Sequence, residues 1–286
     1  MNASAEAVAT SVVTETPNFD AIKAKQKATW EDGDYADFAK YMEAGAIEIL
    51  ENWGISGDKT LLDVGCGSGQ SAIPAARKGM KVTGIDVAEN LIQYARNRCA
   101  EENINANFDV GDAENLPYAD NSYDVAITMI GAMFAPQPDQ VVNEFARVIK
   151  SGGQLYMANW TPRSMPAQMF KRVSAVTPPP PGLIPPVLWG DEETVTQRLS
   201  ENFTDIKLTR KVYPQWHYPF SASELVNLFR THFGPVKRAF DSIIDRKEHA
   251  NLHRDLENIY KDNGEIINGN ITITGGEYLE VIATRR

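Results

Sequence analysis

The chain has 286 residues, of which 43% are hydrophobic and 23% charged, and its formal net charge is −10. This composition is typical of a globular enzyme with a sizeable core, and the negative charge argues against nucleic acid as a partner, because its phosphates would be repelled. The two cysteines show no CxxC spacing, which suits a reducing compartment.

Residues 1–17 contain neither the basic segment nor the apolar segment of a signal peptide, so we expect a flexible tail on a cytoplasmic protein. No later window has the apolar length of a membrane span, which argues against a membrane partner. No segment reads as a clear partner helix, so the sequence assigns no oligomeric state.

The first predicted elements are helices at 19–30 and 35–53, where apolar residues recur at helical spacing. From residue 60 onward, strands and helices alternate. The predicted strands cover 60–64, 81–86, 106–110, 123–130 and 154–160, with helices at 71–78, 88–103 and 137–149. This alternation predicts a Rossmann-like α/β fold, in which helices cover both faces of a parallel sheet.

Beyond residue 160 the pattern is less regular. Six prolines fall within 178–186, which favours a stiff connector there. We expect further strands near 205–213 and 277–285. The chain is therefore predicted to form one domain over 18–286, with a core at about 58–160. The segments 18–56, 161–204 and 214–268 are expected to form a helical substrate cap, because long insertions at sheet ends commonly build lids.

The turn after the first predicted strand carries the chemistry. Gly65, Gly67 and Gly69 allow the backbone to approach a ligand closely. Their GxGxG spacing lacks the third glycine of a dinucleotide fingerprint. Asp63 ends the strand, where a carboxylate disfavours a pyrophosphate and suits an ammonium group.

Two further carboxylates, Asp86 and Asp112, follow the next two predicted strands. Because the carboxyl ends of parallel strands meet at one edge of the sheet, Asp63, Asp86 and Asp112 should surround one crevice. Such a set suits an ammonium group, a ribose and an adenine, which together describe S-adenosylmethionine. Two alternatives stay open: an NAD-dependent oxidoreductase, and a regulatory protein that binds S-adenosylmethionine without turnover.

Four motifs in this order resemble those of class I S-adenosylmethionine-dependent methyltransferases. They are LLDVGCGSG at 61–69, GID at 84–86, GDAENLP at 111–117 and RVIKSGG at 147–153. The chain is most similar to the subgroup related to ubiquinone/menaquinone-biosynthesis methyltransferases. The resemblance implies a seven-stranded sheet with an antiparallel last strand, and S-adenosylmethionine as cofactor with S-adenosylhomocysteine as product.

The resemblance also implies the cofactor contacts. Asp63 and the glycine turn would bind the methionine part, Asp86 the ribose, and Asp112 the adenine. The complete implied set is Tyr35, Asp63, Gly65, Cys66, Gly67, Gly69, Asp86, Val87, Leu91, Asp112, Ala113 and Met129.

The methyl acceptor is expected to be a small, partly apolar molecule, because the stretch 130–134 after the fourth predicted strand is apolar and small. The residues expected to line its site are Trp30, Met133, Phe134, Trp160, Trp189 and His217. No catalytic base is assigned, because in-line transfer depends mainly on orientation. No metal is expected either, since His249 and His253 lack the accompanying HExxH pattern.

Overall fold

A computed structural model describes residues 17–286, so the predicted tail, apart from Pro17, lies outside the described residues. The helices are α1 Phe19–Trp30, α2 Tyr35–Ala39, α3 Glu43–Asn52, α4 Ala72–Arg77, α5 Glu89–Glu102, α6 Pro138–Val148, α7 Met165–Ser174, α8 Glu192–Leu199, α9 Ala222–His232, α10 Gly234–Ser242 and α11 Arg246–Asp262. The strands are β1 Thr60–Val64, β2 Lys81–Asp86, β3 Asn107–Val110, β4 Tyr123–Met129, β5 Ile149–Trp160, β6 Phe203–Val212, β7 His217–Tyr218, β8 Gly264–Ile267, β9 Asn270–Ile273 and β10 Glu277–Arg285.

Seven of these strands form one sheet in the order β3-β2-β1-β4-β5-β10-β6. β1 pairs in parallel with both β2 and β4, whereas β10 runs antiparallel to β5 and β6. Leu61 and Leu62 of β1 are fully buried, as expected for a strand covered on both faces. The Rossmann-like prediction and its antiparallel last strand are confirmed.

The strand order reverses at β1, which has β2 on one side and β4 on the other. In an open α/β sheet such a reversal leaves a crevice beyond the carboxyl ends of the two diverging strands. The glycine turn that follows β1 lies at this crevice. Topology therefore places the predicted ligand contacts at one edge of the sheet.

Two predicted elements differ from the structure. The single helix over 35–53 is divided into α2 and α3, because Tyr41 and Met42 donate to carbonyls three residues back and so form a tight turn. A second sheet, of order β7-β9-β8, was not predicted. The hairpin between β8 and β9 reverses direction at Asn268 and Gly269, which both have positive φ. An Asn-Gly pair is the sequence signal of such a two-residue hairpin loop.

The predicted cap segments do not all pack alike. α1, α2, α7 and α9 contribute side chains to a cavity at the crevice. α8, within the predicted segment 161–204, packs against β6 and α6 instead. In the described range, no helix has the length and apolar character needed to cross a bilayer.

Candidate active site

A cavity of ≈ 430 Å³ lies at the carboxyl ends of β1, β2 and β4. Ten of the predicted cofactor-binding residues line it: Tyr35, Gly65, Cys66, Gly67, Asp86, Val87, Leu91, Asp112, Ala113 and Met129. We call this side, next to the strand ends, the cofactor half. The other side, beneath the helices that surround the crevice, is the acceptor half.

The glycine turn forms the floor of the cofactor half by close backbone contact. Gly65, Gly67 and Gly69 all have positive φ, of 73°, 54° and 88°. A Cβ on Gly65 would lie 2.6 Å from Cα of Gly131, in the turn that follows β4. Any side chain at Gly65 would therefore separate the two turns. Ile130, beside that contact, has a φ of 58°, a strained value for a β-branched residue at a cavity wall.

Asp86 presents its carboxylate to the cofactor half. Oδ2 accepts a hydrogen bond from the Gly67 N–H and Oδ1 accepts one from the Ala88 N–H, both at 2.9 Å. Burial raises the pKa of Asp86, although these backbone hydrogen bonds counteract the effect. Each oxygen retains a lone pair, so the carboxylate can also accept from two hydroxyl groups of a ligand.

Asp63 is fully buried and does not reach the cavity. Oδ2 accepts from the Ser71 hydroxyl at 2.6 Å, and Ser71 itself lines the cavity. Oδ1 has no hydrogen-bond partner within residues 17–286. Burial raises the pKa of Asp63 to about 7, against the hydrogen bond from Ser71 that lowers it. The prediction that Asp63 itself faces the crevice is corrected, because Ser71 lies at the cavity wall and Asp63 behind it.

Gly69 also lies outside the cavity wall. A Cβ there would come within 2.9 Å of Cδ1 of Ile73, so this glycine allows α4 to pack closely after the turn. Gly69 is thus a packing glycine in this structure, and its contact with the cofactor stays a prediction.

Asp112 is connected to a lysine that sequence reasoning missed. Its Oδ1 accepts from the Glu114 N–H at 2.9 Å, and its Oδ2 accepts from Nζ of Lys23 at 2.7 Å. Lys23 also forms an ion pair with Glu114, whose side chain is 1% exposed. Burial lowers the pKa of Lys23, but its bonds to Asp112 and Glu114 outweigh this and raise it overall. Helical spacing could have indicated Lys23, because a residue seven positions before Trp30 lies on the same face of the helix.

The acceptor half is lined by aromatic and methionine side chains from distant parts of the chain. Trp30, Phe134 and Trp160 line it as predicted, together with Phe38, Met42, Met165, Met169, Phe170, Tyr213, Trp216, Phe229 and Phe233, which sequence reasoning did not select. The rings of Trp160 and Trp216 stack with centroids 5.4 Å apart and planes 12° apart. Phe134 packs against Trp30 with centroids 5.0 Å apart.

Three residues predicted for the acceptor half lie elsewhere, so those predictions are wrong. Met133 is buried in the core, since the short 3₁₀ helix Ala132–Phe134 directs Phe134 rather than Met133 to the cavity. Trp189 is buried beneath the Arg198 guanidinium, 4.7 Å from the ring centroid. His217 is exposed on the small sheet, where Nδ1 lies 2.8 Å from Oγ1 of Thr272.

Neither of the two tyrosines that line the described cavity, Tyr35 and Tyr213, is suited to act as a base near neutral pH. Burial raises the pKa of the Tyr35 hydroxyl to about 12. The Tyr213 hydroxyl donates to the Met42 carbonyl at 2.9 Å, and burial raises its pKa as well. The four charged lining residues, Lys23, Lys27, Asp86 and Asp112, all belong to the cofactor half. Residues 17–286 contain no group of three or more His, Cys, Asp or Glu placed to hold a metal ion.

Comparisons with known proteins identify relatives in sequence and in fold. The family model described as a methyltransferase domain matches residues 62–157, from β1 into β5. An uncharacterised protein of Mycobacterium tuberculosis is 31% identical over 226 residues, which make up 78% of this chain and 82% of that protein. The methyltransferase GfsG of Streptomyces halstedii is 37% identical over 134 residues, 46% of this chain and 48% of that protein. The solved YcgJ protein of Bacillus subtilis shares the fold, with a TM-score of 0.56 and 15% identity over 85% of this chain and 98% of that one.

Proposed function

Because the chain belongs to the class I S-adenosylmethionine-dependent methyltransferases, we propose that it methylates a small, largely apolar molecule bound in the acceptor half. The observation that carries this proposal is the composition of that half, where aromatic and methionine side chains leave no charged lining residue within 17–286. A charged acceptor would lose its hydration there without gaining a partner, which is costly. An apolar acceptor gains by the same burial.

The residues of the cofactor half fit S-adenosylmethionine. We propose that Asp86 accepts from the ribose hydroxyls, that Asp112 accepts from the adenine amino group, and that Ser71, backed by Asp63, lies at the methionine end. The two lining lysines are each paired, Lys23 with Asp112 and Lys27 with Glu31, so they do not oppose a cationic ligand. The unpartnered Oδ1 of the buried Asp63 leaves a hydrogen-bond acceptor beneath the turn.

When bound, the cofactor supplies a methyl group on a sulfonium, which carries the difficult chemistry. The part of the protein is to position the two reactants and to keep water away from them. Trp30 packs against both Phe134 and Phe233, and we propose that these rings exclude water from the reacting groups. Fixing two reactants in line is worth effective molarities of about 10⁵ to 10⁸ M, which leaves little for a catalytic side chain to add.

The absence of a suitable base among the described lining residues restricts the acceptor further. A hydroxyl of ordinary pKa would need a group to take its proton during transfer. We therefore expect an acceptor whose nucleophile reacts without a base from the protein, such as a neutral amine, an acidic phenol, a thiol or an electron-rich carbon. The overall negative charge also disfavours nucleic acid as acceptor.

The proposal is tested by incubating the protein with S-adenosylmethionine carrying a labelled methyl group and a panel of acceptors. Apolar phenols, amines, thiols and heterocycles should yield labelled products by mass spectrometry, whereas charged analogues of the same skeletons should not. Labelling of the charged analogues in preference to the apolar ones would contradict the substrate class. Calorimetric binding of the cofactor without any S-adenosylhomocysteine across the panel would instead support a non-catalytic binding protein.

A further inference from the structure

Helix α1 forms part of the wall of both halves of the cavity. Lys23, Gln26, Lys27 and Trp30 lie along one face of the helix, at the spacing of successive turns, and all four line the cavity. Lys23 lies beside Asp112 in the cofactor half, whereas Trp30 packs against Phe134 in the acceptor half. A single rigid helix thus connects the two binding regions.

Polar bonds fasten the middle of α1 to the sheet domain. Ile22 is the one buried residue of the helix. Lys23 binds Asp112 and Glu114, and Nε2 of Gln26 donates to the Phe134 carbonyl at 3.0 Å. Lys23 and Gln26 both line the cavity, so a ligand that enters it meets the residues that hold α1.

The C-terminal end of α1 is fastened to α10 instead. Asp32, just beyond the helix, pairs with Lys237 and Arg238 at 3.1 Å each. The Arg238 guanidinium also donates to the Ala28 carbonyl at 2.7 Å. The helix therefore has one end anchored among the cap helices and the other bound to the predicted adenine site through Lys23.

A ligand could contact one of the two partners of Lys23 but not the other. Glu114 is nearly fully buried and also accepts from the Gln137 backbone and side chain, so its place is fixed. Asp112 is one-third exposed and lines the cavity, and each of its oxygens keeps a free lone pair. An adenine amino group could thus bind Asp112 without displacing Lys23, and both donors would then hold the same carboxylate in place.

From this arrangement we propose that Lys23 is a positioning residue that couples occupation of the adenine site to the placement of α1. The inference rests on the proposed function and deepens it. Adenine on Asp112 fixes the carboxylate, Lys23 then fixes the N-terminal half of α1, and the helix places Trp30 against the acceptor half. Cofactor binding therefore favours acceptor binding.

Hydrogen exchange followed by mass spectrometry tests the coupling with S-adenosylhomocysteine as the probe. In the unaltered protein, the probe should slow exchange both in β1–β2 and in α1. In Lys23→Met, which keeps the length of the side chain but loses its charge, protection of β1–β2 should persist while that of α1 is lost. Lys23→Arg should restore it, because the cation is retained.

Dissociation rates give a second measure. S-adenosylhomocysteine should leave Lys23→Met about tenfold faster, which corresponds to the loss of one charge-assisted bond. Lys25→Met is the matched control, because Lys25 lies exposed on the same helix, and its rate should stay at the unaltered value. Gln26→Leu, which leaves the buried Glu114 paired, should accelerate dissociation by a smaller factor and provides a variant in case Lys23→Met does not fold.

Unchanged protection of α1 and an unchanged dissociation rate in Lys23→Met would overturn the coupling. The same conclusion follows if the probe protects β1–β2 but not α1 in the unaltered protein, and the proposed function would then stand. If the probe gave no protection in either region and no calorimetric binding, the cofactor assignment would fail as well.

Discussion

The two halves of the cavity are formed by different kinds of chemical group. The cofactor half consists mainly of backbone turns and carboxylates at strand ends, most of them from one stretch between residues 64 and 113. Backbone hydrogen bonds fix its main group, since Asp86 accepts from Gly67 and Ala88. The acceptor half consists of side chains contributed by separate elements between residues 30 and 233.

The contrast indicates where this protein can change its chemistry. A substitution in the cofactor half alters backbone contacts on which the fold itself depends, as at Gly65 against Gly131. A substitution in the acceptor half changes the shape of a wall while the sheet stays intact. Cofactor use is therefore tied to folding, whereas acceptor choice can vary with single side chains.

The largest expected effect comes from Gly65→Ala. The added methyl group meets the Gly131 backbone at 2.6 Å and the residue must keep a positive φ, so we expect a loss of about 3 to 5 kcal/mol of unfolding free energy. Gly79→Ala is the control, because Gly79 also has positive φ but open space around it, and it should cost about 1 to 2 kcal/mol. Equal losses in denaturant titrations would show that the contact between the two turns is unimportant.

Asp63→Asn tests the buried acid beneath the turn through its pH dependence. Burial raises the folded-state pKa of Asp63 to about 7 from its ordinary value of 3.8, so its contribution to stability is greatest below the unfolded-state pKa and is lost as pH rises toward 7. The stability of Asp63→Asn relative to the unaltered protein should therefore increase over this window, by up to about 1.4 kcal/mol per pH unit. Parallel stability curves from pH 4 to 7 would refute the raised pKa.

Asp86→Ala removes the proposed ribose acceptor. We expect cofactor affinity to fall by about 1 to 3 kcal/mol in calorimetry, because the hydrogen bonds to a charged group are lost. Asp58→Ala serves as control, since the Asp58 side chain is 76% exposed and lies before β1. Equal affinities for the two variants would remove Asp86 from the cofactor site.

The smallest effect, and the one that separates the two halves most clearly, is expected for Phe170→Ala. Phe170 packs against Phe134 with centroids 5.5 Å apart, in the acceptor half only. Turnover of an apolar acceptor, as kcat/KM, should fall about tenfold, while cofactor affinity stays unchanged. A loss of cofactor affinity of similar size would mean that the two halves are not independent.

The cofactor half was largely predictable because its requirements are local in sequence. A glycine turn after a buried strand must make close contacts wherever it occurs, and Asp86 lies where topology brings strand ends together. Asp63 was placed too close to the cavity, because it is fully buried behind the cavity wall. Sequence places it at the strand end, but only tertiary packing puts Ser71 between it and the cavity.

The acceptor half was predicted less well because irregular segments give no period from which to read side-chain direction. Trp160, at the end of a strand, lines the cavity, whereas Trp189, in the irregular segment after the prolines, is buried elsewhere. Phe170 and Phe233 were missed because their meeting depends on how α7 packs against the residue that follows α9. Lys23 could have been found, since it shares a predicted helix face with Trp30.

The tryptophans of this chain are divided in a way that has a practical consequence. Trp30, Trp160 and Trp216 line the cavity, whereas Trp53 and Trp189 lie outside its wall. The indole of Trp53 donates to Glu280 and that of Trp189 lies beneath a guanidinium, so neither would sense a bound acceptor directly. The protein thus carries its own optical reporter, and quenching of its intrinsic fluorescence can rank unlabelled acceptors before any product is identified.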